Sequence, residues 1–319
     1  MVMRDMPVLT IEDVRAAHER IRSHIHRTPV LTCATLDRMS GARLWFKCEN
    51  LQKGGAFKIR GATNAVFSLT DDAARAGVAT HSSGNHGAAL ALAASWRGIR
   101  ACVVIPGNAP RAKQRAVESY GAEIVFCDPG MEARAETLLR VVERSGMTVV
   151  HPYNDPAVIA GQSTAALELL EDAGDLDAVI APVSGGGLIG GTAIACAGTS
   201  KATVYAAEPA NADDAQRSFR AGRIIVEGNC DTIADGLRAS LGALPFKIIR
   251  THVTDILTVS EGQIVSAMRL IWERMKTVVE PSSAVALAAI LAHPDLFRDR
   301  TVGVILSGGN VDLDHLPWR

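Results

Sequence analysis

The feature that most constrains this chain is a regular alternation of short apolar runs and helical patterns. Val78–His81, Ala101–Ile105, Ile124–Cys127 and Thr148–His151 read as strands, separated by helical stretches Ala88–Trp96, Arg111–Tyr120 and Met131–Arg144. The alternation resumes with strands at Ala178–Pro182, Thr203–Ala207, Ile256–Val259 and Val302–Leu306. Continuous apolar strands with helices between them predict an α/β fold, its sheets parallel-rich and covered on both faces. An earlier strand is expected from Leu44 to Cys48. A first helix, capped by Thr10 with Asp13 three residues on, should run through Ile25 and stop at Arg27-Thr28-Pro29. There is no internal repeat, low-complexity tract or charge block, and no linker announces a domain boundary.

Composition removes several classes of function. The 319 residues suffice for one large or two moderate domains, and 48% hydrophobic content excludes a disordered chain. A formal charge of −1 gives no reason to expect nucleic acid or an anionic membrane as partner. Cysteines 33, 48, 102, 127, 196 and 230 are scattered, with no Cys-x-x-Cys pair, and read as core residues in a reducing compartment. Arg4 and Asp5 argue against a signal peptide. The apolar runs Ala88–Ala94 and Ala284–Ala292 fall short of the ~18 residues that span a bilayer. A cytoplasmic protein is expected.

Three stretches carry chemistry. The first is Glu49-Asn50-Leu51-Gln52-Lys53-Gly54-Gly55-Ala56-Phe57-Lys58-Ile59-Arg60-Gly61-Ala62, between a strand and a helical pattern through Val66 and Leu69. Adjacent glycines supply a turn needing positive φ or close backbone approach. Lys58 then opens a helix between two apolar neighbours. A desolvated lysine loses its proton readily and attacks carbonyl groups; the plain alternative is a packed stem with its head in solvent. The second stretch is Thr80-His81-Ser82-Ser83-Gly84-Asn85-His86-Gly87, and the third Val183-Ser184-Gly185-Gly186-Gly187-Leu188. Each joins a strand to a helix, so bare amides at a helix N-terminus face an anion. Gly185, Gly187 and Gly190 also satisfy Gly-x-Gly-x-x-Gly, and Glu208 ends the next strand where a ribose-binding acid would stand. A nicotinamide-binding oxidoreductase is therefore a rival reading, but it leaves the other two stretches unexplained.

Together these residues resemble the pyridoxal-phosphate enzymes of the second fold type. The nearest group is that of the serine racemases and serine/threonine dehydratases, 3-hydroxyaspartate dehydratase-like members included. The resemblance extends from the first helix to Leu313. It implies a two-domain fold of the tryptophan synthase β kind, with residues 1–66 and 153–319 forming a large cofactor-binding domain and 67–152 a small inserted one. It further implies that Lys58 forms a Schiff base with the cofactor aldehyde, with Phe57 beside it. Gly185, Gly186, Gly187 and Leu188 would offer amides to the phosphate; the family has a fourth glycine where this chain has Ser184. Asn85 would hydrogen-bond the 3′-oxygen of the ring, and Ser307, in Ser307-Gly308-Gly309-Asn310, would meet the pyridine nitrogen. A hydroxyl there leaves that nitrogen neutral and favours prompt loss of a β-substituent.

By the same resemblance Ser82, Ser83, Asn85 and His86 bind the substrate, Ser83 facing Cα opposite the lysine. Arg134 and Ser240 would reach the substrate's distal end. Glu208, Asp214 and the carbonyl of Ala212 would bind Mg2+, Ca2+ or Mn2+ through hard oxygen ligands. Each residue also has a plainer reading: Ser82 and Ser83 as helix caps, Ser307 in an ordinary turn, Asp213 or Asp214 as a cap, Arg134 and Ser240 as solvated surface. The activity implied is β-elimination of a small β-hydroxy amino acid (3-hydroxyaspartate, serine or threonine) to a 2-oxo or imino acid and ammonia, in a homodimer. Serine racemisation is the alternative, and a non-catalytic amino-acid binder a further one.

Overall fold

A computed structural model describes residues 9–82, 84–109, 111–226 and 230–318. Ten strands are present among them: β1 (Val30–Leu31), β2 (Arg43–Cys48), β3 (Val78–His81), β4 (Ala101–Pro106), β5 (Glu123–Cys127), β6 (Thr148–Val149), β7 (Ala178–Pro182), β8 (Thr203–Pro209), β9 (Asp255–Val259) and β10 (Thr301–Leu306). They form two sheets, ordered β1-β2-β10-β7-β8-β9 and β5-β4-β3-β6. Every pairing is parallel except β1 with β2. The last strand fills the middle of the larger sheet, with Val304 opposite Phe46 on one side and Ile180 on the other.

Helices cover both faces, as continuous apolar strands require. On one face of the larger sheet lies Pro281–Ala292, whose Ala284, Val285, Leu287 and Ala288 pack with β7, β8 and β10. Pro156–Ala173 and Gly187–Thr199 cover the other. The smaller sheet lies between Met131–Ser145 on one side and Asn85–Arg97 with Arg111–Ser119 on the other. No helix among the described residues is long and apolar enough to cross a membrane.

Two expected elements end early. The first helix spans Ile11–Ile21, not through Ile25, where the His24 amide closes a tighter turn onto the Ile21 carbonyl, three residues back, at 2.8 Å. The strand expected over Thr148–His151 pairs only at Thr148 and Val149. Beyond it His151 leaves the ladder, its Nδ1 accepting the amides of Tyr153 at 3.3 Å and Asn154 at 3.0 Å. A side chain that satisfies nearby backbone donors competes with the sheet for them.

The helix Lys58–Phe67 wedges between the two sheets, packing on Pro156–Ala173 and on Asn85–Arg97. Its crossing with the former is very close. A Cβ on Gly61 would lie 2.7 Å from the Val158 carbonyl oxygen, and one on Gly161 2.6 Å from the Gly61 Cα. Arg60, fully buried, binds Glu49 at 2.7 and 2.8 Å and Glu168 at 2.9 and 2.7 Å. Lys47 adds a 2.7 Å contact to Glu168, and Thr28 donates to Glu49 at 2.5 Å. Buried charges persist only when paired in this way.

Candidate active site

Lys58 owes its position to the turn before it. Gly54 and Gly55 take φ of 70° and 73°, the left-handed conformation that two adjacent glycines permit. The segment is then stitched to the turn after β10. Phe57 N donates to Ser307 O at 3.0 Å, Gly309 N to Gly55 O at 2.9 Å and the Asn310 amide to Gly54 O at 2.8 Å. Lys58 and Ser307, 249 positions apart by their numbering, are thus brought to one place. The Lys58 ammonium donates to the Pro152 carbonyl at 2.9 Å and lies 5.0 Å from the centre of the Phe57 ring. Burial lowers its pKa to about 8, far toward the neutral form that attacks an aldehyde.

Asn85 opens the helix after β3, two residues on from Ser83, which lies outside the described residues. Ser82 Oγ accepts the Gly84 amide at 3.3 Å. Gly87 is required because a Cβ there would sit 2.2 Å from the Ser82 carbonyl oxygen. The Asn85 amide nitrogen donates to the Glu280 carboxylate at 3.1 and 3.3 Å, while its oxygen accepts from Asn310 at 2.9 Å. Sequence reasoning missed Glu280; an acid immediately before a proline that opens an apolar helix was the available signal. His86 is buried with Nε2 3.1 Å from the Val150 carbonyl, and burial, then Lys58, push its pKa down to about 3. It anchors the loop to β6's continuation.

The glycine loop lies at the N-terminus of the 13-residue helix Gly187–Thr199, with Gly186 at φ 94°. Side chains are excluded from it: a Cβ on Gly185 would fall 2.3 Å from the Tyr153 ring, and one on Gly186 2.6 Å from Pro245. Leu188 is buried behind it. Ser184 ties the loop sideways by donating to Ala239 O at 2.8 Å and accepting from Ala239 N at 2.9 Å.

Glu208 ends β8 almost fully buried, and its carboxylate accepts the amides of Ala215 at 3.3 Å and Gln216 at 2.7 Å. It caps the helix Asp214–Ala221, so it is not the free acid a dinucleotide ribose would need. Burial pushes Glu208 up to about 9, with Asp214 adding repulsion. Asp214, pushed up by burial to about 6, has one buried oxygen without a partner; its carboxylate accepts a hydrogen bond from Ser240. Ala212 is buried in the turn between them. No group of three or more His, Cys, Asp or Glu side chains that could hold a metal occurs among the described residues. Arg134 is half-buried, with a buried Nε that has no partner, and lies close enough to His81 to help lower its pKa after burial.

A half-buried, readily neutralised amine, a side-chain-free cradle at a helix N-terminus and a buried Ser307 fit pyridoxal phosphate. Fold and site together define a helix-covered α/β protein of the second fold type. Residues 21–308 match the family described as pyridoxal-phosphate dependent enzyme, and the chain belongs to it. It is 53% identical over 315 residues to the beta-hydroxyaspartate dehydratase of Paracoccus denitrificans, covering 98% of this chain and 100% of that one. The serine racemase structure from Dictyostelium discoideum superposes with a TM-score of 0.92 at 47% identity, covering 96% and 99% of the two chains. The T.th. threonine deaminase structure gives 0.91 at 44% identity, covering 96% and 99%.

Proposed function

We propose that this enzyme eliminates water from small β-hydroxy amino acids, 3-hydroxyaspartate foremost, giving a 2-oxo or imino acid and ammonia. The observation that carries the reading is the Lys58 amine, lowered to about 8 and joined through Pro152 and Tyr153 to a bare-backbone cradle. Pyridoxal phosphate, when bound, supplies the aldehyde that takes the substrate amine and the electron sink that loosens the Cα proton. The amides of Gly185, Gly186, Gly187 and Leu188 would hold its phosphate, with Phe57, Asn85 and Ser307 as the residues that would hold its ring. Lys58 Nζ would then accept the Cα proton. Ser82, Asn85 and His86 shape the loop that receives the α-carboxylate, with Ser83 in the same loop.

Arg134 recognises a β-carboxylate. Its unpartnered buried Nε suits an anion, and similarity to a β-hydroxyaspartate dehydratase supports the assignment. Ser240 joins this end through Asp214. Serine and threonine are poorer substrates. Serine racemisation is the second reading, favoured by likeness to serine racemases, with Ser83 as the residue that would return the proton.

Glu208, Asp214 and the Ala212 carbonyl bind Mg2+ or a similar divalent cation, which would relieve the repulsion between two buried carboxylates. Residues 67–152 form a small domain inserted between 1–66 and 153–319. The enzyme works as a cytoplasmic homodimer. Purified protein incubated with 3-hydroxyaspartate, serine and threonine, and assayed for 2-oxo acid and ammonia, tests the reading. Turnover of none of them with added pyridoxal phosphate would overturn it.

A further inference from the structure

One wall of the site is lined by residues that the roles above leave unused. His81, at the end of β3, meets His151 edge-on with ring centres 5.6 Å apart, and His151 meets Tyr153 edge-on at 4.6 Å. At one end of this row His81 lies within the influence of Arg134; at the other, Tyr153 closes over Gly185. His151 immediately precedes Pro152, whose carbonyl holds the Lys58 amine at 2.9 Å.

The His151 ring has only one nitrogen to spare. Nδ1 accepts two backbone amides, Tyr153 N at 3.3 Å and Asn154 N at 3.0 Å, so it carries no proton and the proton belongs on Nε2. Nε2 has no hydrogen-bond partner among the described residues. Burial first, then His81 and Lys58, bring the pKa to about 4, so the ring stays a neutral donor at working pH. The charged group near it is Lys58, and the other imidazoles in this corner, His81 and His86, are lowered as well.

We propose that His151 is a fixed hydrogen-bond donor, through Nε2–H, to the departing β-oxygen of the substrate. This rests on the β-elimination reading given above. Cα must lie within reach of Lys58 Nζ, and the loop from Ser82 to Gly87 takes the α-carboxylate. The β-carbon is then left facing the wall of His81, His151 and Arg134. In the step itself the Cα–H pair becomes the Cα=Cβ bond, and the Cβ–O pair leaves on oxygen. The proton that Lys58 took from Cα goes to that oxygen, releasing water. His151 keeps its own proton throughout, because giving it up would leave an imidazolate. Its part is to stabilise charge as it develops on the oxygen.

Two substitutions separate this role from loop support. Asparagine at 151 reproduces the Nδ1 acceptor for the amides of 153 and 154 but removes the Nε2 donor. His151→Asn should therefore lower kcat for 3-hydroxyaspartate or serine by a factor on the order of 10², the usual effect of losing one such donor. Elimination of chloride from β-chloroalanine, which needs no help at the leaving group, should be unchanged within error. His151→Gln, which keeps a distal donor, should recover part of the loss. Nitrogen-15 NMR of histidine-labelled, cofactor-free protein should show His151 as the neutral Nε2–H tautomer, still so at pH 5, above its pKa of about 4. Equal losses on both substrates in His151→Asn, or an Nδ1–H tautomer, would overturn the proposal. If His151→Asn does not fold, the tautomer in the wild-type protein decides. Failure of the wild-type enzyme on every β-substituted amino acid would instead count against the elimination reading and leave the tautomer separately readable.

Discussion

Arg60 grips Glu49 with two hydrogen bonds, 2.7 Å from Nε and 2.8 Å from Nη2, at a point sealed from solvent and two residues beyond Lys58. The same guanidinium binds Glu168 on the neighbouring helix, so one side chain fixes the lysine helix to the end of β2 and to Pro156–Ala173. Removing it leaves Glu49 buried with only the Thr28 hydroxyl as partner among the described residues, and Glu168 with Lys47. Arg60→Ala should cost about 3–5 kcal/mol of stability, as breaking a buried pair does. Urea unfolding followed by circular dichroism measures this. Arg60→Met combined with Glu49→Leu should recover part of the loss, since Glu168 keeps Lys47 at 2.7 Å. A loss under about 1 kcal/mol, the level of an exposed ion pair, would mean the cluster is hydrated.

The lowered pKa of Lys58 has a direct kinetic consequence. An amine that titrates at about 8 is neutral above that pH and attacks an aldehyde freely there. The rate at which cofactor-free protein captures pyridoxal phosphate, followed by absorbance, should rise with pH and level off above about 8. An ordinary lysine would go on gaining until about 10.4. Lys58→Ala should abolish both the yellow colour and turnover. A capture rate still climbing tenfold per pH unit beyond 9.5 or so would show a solvated amine.

Glu280 holds the Asn85 side chain from one side and Asn310 holds it from the other. With its orientation fixed, Asn85 would present a constant donor to the cofactor in the role proposed for it above. Glu280→Ala should weaken pyridoxal phosphate binding at least as much as Asn85→Ala, by roughly tenfold for about 1.4 kcal/mol of lost orientation. Equilibrium dialysis against the cofactor measures it. Unchanged affinity in Glu280→Ala would reduce the carboxylate to a cap for its own helix.

The acidic loop makes a prediction about cations. Two raised carboxylates and a carbonyl should bind Mg2+, and a ligand that binds only the folded state raises the melting temperature. Chelation should lower the melting temperature and activity together, and Mg2+ or Ca2+ should restore both. If Asp214→Asn leaves the chelator effect intact, the cation lies elsewhere.

In the proposed reading, substrate choice rests on Arg134, whose buried Nε has no partner among the described residues. A β-carboxylate buried without a partner is costly, and a guanidinium offers it a bidentate one. Arg134→Ala should reduce kcat/KM for 3-hydroxyaspartate by a factor on the order of 10², and that for serine much less. Parallel losses on both substrates would make Arg134 a support for the smaller sheet.

What the sequence revealed, and what it hid, follows from how far apart the partners lie. Lys58, Asn85 and the Gly185–Gly187 turn were legible because each is a local pattern, a glycine turn or helix start that dictates its own backbone. Ser307 was legible only as a turn plus a resemblance, yet it comes to lie beside Phe57 through a single amide. Glu280, His151 and Tyr153 were not legible as site residues, since nothing near them in sequence points to Asn85, Lys58 or Gly185. Their roles arise from packing between distant segments. Glu208 was legible as an important acid but not in its partners: neither the ribose reading nor the metal reading foresaw that two amides seven and eight residues on would occupy it.

The place of β10 has a consequence for how this enzyme is made. The strand nearest the end of the chain, Thr301–Leu306, is central in the larger sheet and lies between strands from residues 43–48 and 178–182. Parallel pairing over such separations is slow, because the loop must close before any contact rewards it. The smaller sheet, drawn wholly from residues 78–149, has its strands available while a ribosome is still at work on the second half. The larger sheet does not. Lys58 therefore stays without its Ser307 neighbour until residues 301–307 have been made, and before then the nascent chain has no complete site with which to capture its cofactor.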